Sequence, residues 1–176
     1  LLVTFLLGVA IGALAIGIPI AHNKEFVGSL SDIVTPFSLL TGCFAVGLFA
    51  MHGALYLALK TEGALLSQVT RWCWRSFGVF AILCIATTIT ALLSVPQVAN
   101  SIANVSAGFG LVVFIMLALF NIPRSLRKQC FGQAFFSSAI FIAATISLLG
   151  LSLFPNIAPS SLDNTFSLTI YSAASS

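Results

Sequence analysis

Few side chains in this sequence could do chemistry inside an apolar environment, and His52 is the most conspicuous of them. It stands in a run from Phe37 to Leu59 that holds no residue charged at neutral pH and stops sharply at Lys60, Thr61 and Glu62. At about 1.5 Å per residue, a helix over that run spans roughly 35 Å, slightly more than a hydrocarbon core of about 30 Å. Counting forward from His52 by helical turns gives Tyr56 and then Lys60, so one face carries a polar stripe from inside the span to its end. An ionisable residue at that depth belongs in a bundle interior or a water-filled cavity, so the stripe is expected to avoid lipid.

Three roles are open to His52. It can be a neutral imidazole hydrogen-bonded across helices, part of a proton path with Tyr56, Lys60 and, at its mouth, Glu62, or a haem ligand. Ligation needs a cofactor-sized cavity and commonly a second ligand, and Met51, next in sequence, points elsewhere on a helix. Lys60 also fits a snorkelling helix end, and Glu62 a solvated loop charge. The second histidine, His22, lies beside Asn23 and Lys24 in a polar connection.

The remaining reactive residues point away from catalysis. Cys43, Cys73, Cys84 and Cys130 form no CxxC pair and have no histidine at a zinc or iron–sulfur spacing. Buried free thiols acting as small hydrophobes are expected. Glu25, Asp32, Glu62 and Asp163 all fall outside the apolar runs, and no GxSxG, P-loop or HExxH motif occurs. No catalytic, cofactor-binding or metal-ligating set is expected in this chain.

The elements that must position these residues are membrane helices. The sequence is 59% hydrophobic and 6% charged, against a charged fraction of about 25% in soluble domains. Five apolar segments can be drawn, Leu1 to Ile20, Phe37 to Leu59, Phe77 to Val95, Ile102 to Ile122 and Phe131 to Phe154, in one transmembrane domain over residues 1–176, with 155–176 an outer loop. This predicts an all-α polytopic bundle of about five spans. All six prolines fall at or beyond segment ends, and the runs lack the short alternating pattern of a membrane barrel. Leu1 already lies in an apolar run and no charged tail closes the chain, so a fragment of a longer protein is expected.

Basic residues set the expected orientation. Lys60, Arg71 and Arg75 flank the second connection, and Arg124, Arg127 and Lys128 the fourth, with Lys24 alone on the other side. By the positive-inside rule, connections 60–76 and 123–130 are cytoplasmic. Trp72 and Trp74, beside Arg71 and Arg75, read as interfacial anchors. The net charge of +3 is too small for a nucleic-acid surface. The sequon at Asn104, Val105 and Ser106 would matter only in a secreted eukaryotic protein. Small residues recur at Gly8 and Gly12, at Ala50, Ala54 and Ala58, and at Ala139, Ala143 and Ser147, stripes that let membrane helices approach closely.

The stretch MHGALYLALKTEG, Met51 to Gly63, resembles a signature of subunit II of the bacterial cytochrome bd-type quinol oxidases. GVAIGALAIGIP (Gly8 to Pro19) is similar to that family's glycine-spaced helix, and FPNIAPSS (Phe154 to Ser161) with SLTIYSAASS (Ser167 to Ser176) to its loop before the last helix. Ala13 departs from the pattern, since the family often has asparagine there. The resemblance implies about nine spans in the intact subunit, arranged as two four-helix bundles and a ninth helix, with the first segment here closing one bundle and the other four forming the second.

It further implies a bacterial plasma membrane and a supporting role in quinol oxidation coupled to oxygen reduction to water in the respiratory chain. The partner is a haem-bearing subunit I, to which haem b and haem d belong. His52 is then left without a family role as ligand, and a quinone contact stays open. The alternative from another class is a fragment of a secondary transporter. Against it, no segment is interrupted at mid-membrane by glycine and proline together.

Overall fold

In a computed structural model the chain is described over residues 1–23, 25–95 and 106–173. The expectations for Lys24, for the loop and sequon within 96–105, and for the last three residues lie outside the described residues. Among the described residues seven α-helices follow in order: α1 Leu2–Ile16, α2 Leu30–Ile33, α3 Pro36–Lys60, α4 Gly63–Ser94, α5 Ser106–Arg127, α6 Phe131–Leu153 and α7 Ile170–Ala173. Four of them, α3 to α6, are long and apolar enough to cross a membrane, and α1 is a shorter apolar helix. The all-α polytopic bundle expected from composition is the observed architecture.

Neighbouring long helices run antiparallel, as short connections require. The thiol of Cys73 on α4 donates to the carbonyl of Ala54 on α3 at 3.3 Å, and Leu83 on α4 lies against Gly47 on α3. Helices α3 and α6 are also antiparallel, since His52 meets Ser138 while Leu59 approaches Gly132. The ends of α3 and α5 and the starts of α4 and α6 therefore share one end of the bundle, and the two basic connections with them. Of two apolar clusters among the described residues, the smaller joins Ala15, Phe37 and Val95, and the larger, including Met51, Leu55, Cys73, Phe80, Ile122, Leu126, Ala134 and Phe141, fills the space between α3, α4, α5 and α6. Phe80 meets Phe141 edge to face at 5.1 Å near its middle.

Four boundaries differ from the sequence expectation. Helix α1 stops at Ile16 rather than Ile20, because Gly17 turns to φ 102° and the chain beyond it pairs with the tail. The Ile18 N–H donates to the Pro159 carbonyl, the Ser161 N–H to the Ile18 carbonyl and the Ser160 hydroxyl to the Ile20 carbonyl, each at 3.0 Å. Helix α4 begins at Gly63 rather than Phe77, so residues 60–76 are helix apart from Thr61 and Glu62. No glycine or proline interrupts residues 64–77, and Val69 and Cys73 bury one turn apart.

Helix α5 runs through Pro123 to Arg127. The proline removes the single bond to the Leu119 carbonyl, near enough to the helix end to be tolerated. Connection 123–130 narrows to Lys128–Cys130, with Gln129 at φ 57°. There the Cys130 N–H returns to the Ser125 carbonyl and the Gln129 N–H to Leu126, a Schellman closure. Last, the tail is more regular than a loop. Strands Asn156–Ala158 and Leu168–Thr169 pair antiparallel, and α7 follows. In this tail the backbone N–H and hydroxyl of Thr165 both donate to Asp163 at 2.8 Å, which holds that carboxyl below its usual range.

Two of the three small-residue stripes lie at helix contacts. A Cβ added at Gly8 would lie 2.8 Å from the Gly42 Cα, and one at Gly12 2.7 Å from the Ser38 Cα, so α1 and α3 touch backbone to backbone. Ala58 is buried and Ala54 packs on the core, while Ala50 is exposed. The third stripe does not pack as expected. Ala143 and Ser147 face outward, and α6 presents Ala134, Ser137, Ser138, Phe141 and Ala144 to its neighbours instead. The thiols also differ from expectation, since Cys73 is buried, Cys84 half-buried, and Cys43 and Cys130 exposed, all four free.

Candidate functional site between the third and sixth helices

His52 is carried on α3, whose start is fixed by a reciprocal cap. The Ser38 N–H donates to the Thr35 hydroxyl at 3.1 Å and the Thr35 N–H to the Ser38 hydroxyl at 2.8 Å, with Pro36 at the first helical position. That cap orients the helix so that Met51 and Leu55 enter the core and His52, one step round, lies half-buried at the seam with α6.

At that seam the His52 ring stacks on Phe135, centroids 4.5 Å apart, and its Nδ1 lies 2.7 Å from the Ser138 hydroxyl oxygen. The same hydroxyl is 2.6 Å from the Phe135 carbonyl. A carbonyl can only accept, so the one hydroxyl proton goes to it, and Nδ1 must carry the proton shared with Ser138. His52 is thus the donor in a bond between helices, with its tautomer set by its partner.

The rest of the stripe is more open. Tyr56 is half exposed, with its ring 5.9 Å from Phe135, and Lys60 is exposed, with Nζ 6.0 Å from the Tyr56 ring centroid. His52, Tyr56 and Lys60 therefore lie in a row along the α3–α6 seam, packed at the histidine end and open at the lysine end. Glu62 is exposed in the adjoining connection, and His22 meets Phe166 edge to face at 5.6 Å at the other end of the molecule.

A second polar tie escaped the sequence reading. Asn121 on α5 donates its amide to the Ser137 hydroxyl on α6 at 2.8 Å. Ser137 and Ser138 are adjacent, and each reaches a different helix. Ser137 and Ser138 are polar positions in an apolar run, but their partners are distant in sequence. Asn121 could have been found as the amide closing the run before Pro123.

The fit of a haem can be tested on these contacts. His52 has its ring face against Phe135, and with Nδ1–H given to Ser138 only Nε2 is left as a ligand atom, while the cleft of about 370 Å³ between α5 and α6 has no imidazole, thiol or thioether among its lining residues. Among the described residues no group of three or more His, Cys, Asp or Glu side chains could hold a metal ion. Among the described residues, that cleft brings no axial ligand to a haem.

Comparison with known proteins decides the family. The sequence model of the cytochrome bd terminal oxidase subunit II family matches residues 1–176. The chain belongs to that family. It is 28% identical over 171 residues to cytochrome bd ubiquinol oxidase subunit 2 of Bacillus subtilis, covering 97% of this chain and 50% of that protein. It is 30% identical over 199 residues to a probable cytochrome oxidase subunit 2 of Haemophilus influenzae, covering 96% and 52%. Against cytochrome bd-I ubiquinol oxidase subunit 2 of Escherichia coli K12 it is 28% identical over 201 residues, covering 97% and 53%. The chain spans about half the length of the curated relatives it matches. All three relatives are named as cytochrome oxidase subunits, and none is named as a transporter.

Proposed function

We propose that this chain is part of a helical membrane subunit that supports quinol oxidation coupled to oxygen reduction to water in a bacterial respiratory bd-type oxidase. Its partner is a haem-bearing subunit I, which holds haem b and haem d. The observation that carries this reading is a family match running from the first residue to the last over a four-helix apolar core. In this role the chain places no group of its own on the reacting atoms. His52, a neutral donor to Ser138, and Tyr56, against Phe135, hold the α3–α6 seam, and Lys60 continues the stripe to the exposed end of the helix. Segments 60–76 and 123–130, at the end of the bundle that carries Lys60, Arg124, Arg127 and Lys128, face the cytoplasm of a plasma membrane, as those basic residues support.

The test is the reduced-minus-oxidised spectrum of the full-length subunit purified through a tag. Haem bands should accompany it and disappear when subunit I is absent. His52→Ala should leave every haem band of the assembled complex in place. Bands retained by the subunit alone, or one haem lost from the variant with the subunits still associated, would overturn the assignment.

A further inference from the structure

The outward-facing cleft between α5 and α6 has a polarity gradient along its length. Phe114, Leu117 and Ile140 line its apolar part, and Asn121, Ser137 and Arg124 gather toward one end. From Phe114 to Arg124 is ten residues, or about 15 Å of helix, half of a hydrocarbon core of about 30 Å. The cleft therefore extends from the level of the basic connection to about the middle of the membrane.

Its charge is one-sided. Asn121 and Ser137 are bonded to each other, whereas Arg124 is exposed and pairs with no carboxylate among the described residues. Neither α5 nor α6 contains an acidic residue, and Arg127 and Lys128 follow Arg124 at three and four positions, on the same side of the helix end. A planar guanidinium with five donors suits a phosphate, and a groove one leaflet deep suits an aliphatic chain. Free phosphate would leave the apolar walls unused.

We propose that this cleft binds one anionic phospholipid, with its phosphate on Arg124 and an acyl chain along Phe114, Leu117 and Ile140. Basic pockets between membrane helices recognise lipid headgroups in this way. The site needs the membrane-spanning fold and depends neither on which face is cytoplasmic nor on the oxidase reading.

The test uses the full-length subunit in its complex, purified in mild detergent and titrated with dioleoylphosphatidylglycerol under native mass spectrometry. Dioleoylphosphatidylcholine and inorganic phosphate serve as comparison probes. One phosphatidylglycerol should bind more tightly than phosphatidylcholine. Its affinity should fall about tenfold in Arg124→Gln, the scale of a lost charge-assisted contact, and largely persist in Arg124→Lys. Leu117→Trp, which fills the groove and keeps every charge, should weaken binding as well. Unchanged affinity in both Arg124→Gln and Leu117→Trp would overturn the proposal and show the cleft covered by protein. Equal binding of phosphatidylcholine would remove the role of charge. Displacement by phosphate at matching concentration would reduce the site to one for a free anion.

Discussion

The bond between His52 and Ser138 makes the most direct claim on function, because a structural tie and a proton relay respond differently to the same substitutions. His52→Leu removes the Nδ1–H donor and the ring stacked on Phe135. Hydrogen bonds between membrane helices average about 0.6 kcal/mol, and a ring contact adds about 0.5 kcal/mol or more. Leucine recovers part of the packing, so the net loss should be about 1 kcal/mol, or about fivefold in the ratio of folded to unfolded protein.

Ser138→Ala should cost a similar amount. Together the two should cost less than their sum by about 0.6 kcal/mol, the coupling of the bond itself. Equilibrium unfolding of the full-length subunit in mixed micelles measures that cycle. His52→Gln keeps an N–H donor and should retain both complex yield and quinol-dependent oxygen uptake. Zero coupling in the cycle would refute the tie. Normal yield with lost uptake in His52→Gln would refute the structural role and make His52 a titrating relay, since glutamine cannot exchange a proton near neutral pH.

Three further outcomes are expected. Gly8→Ala and Gly12→Ala should each destabilise by about 1–3 kcal/mol through overpacking against α3, whereas Gly53→Ala, with nothing within 4 Å of the added Cβ, should be neutral or stabilising, as thermal unfolding of the complex will read. In a background without the native cysteines, Ser67→Cys and Gln129→Cys should resist an impermeant thiol reagent in intact cells while Ser29→Cys labels, and the opposite pattern would invert the topology. Ser125, 1% exposed, has a hydroxyl with no partner among the described residues, so Ser125→Ala should be neutral or stabilise by up to about 1 kcal/mol in the same unfolding measurement; a loss above that scale would reveal a partner for the hydroxyl.

The long helices were legible because an uncharged run of 20 or so residues has few alternatives in lipid. Their ends were less so, for identifiable reasons. Hydropathy continues through Ile18 and Ile20, yet α1 ends at Ile16, since backbone pairing with Pro159, Ser160 and Ser161 supplies partners that the helix would otherwise provide. Hydropathy stops before Phe77, yet α4 starts at Gly63, because Gln68, Arg71 and Arg75 suit a helix and Val69 and Cys73 carry its buried face into the core. Placing His52 and its stripe on one face needed only the helical period. Its partner, 86 residues away, could not be read from local pattern, and neither could the choice of Ser137 and Ser138 over Ala139 and Ala143 as the packing face of α6.

That choice explains how the bundle holds its register. Apolar contact distinguishes poorly between helix rotations in lipid, because the alternative to a leucine against a neighbour is a leucine against an acyl chain. Adjacent residues on a helix point about 100° apart, so Ser137 and Ser138 can address α5 and α3 at once. Turning α6 by one residue would break both the Asn121 and the His52 bonds and would carry Phe141, now 5.1 Å from Phe80, off the core. Two weak hydrogen bonds and one ring contact thus fail together, and a rotation that would cost little by hydropathy costs a few kcal/mol by about the sum of those contacts. His52, Asn121, Ser137 and Ser138 thus fix helix positions at this depth, as the proposed supporting role requires.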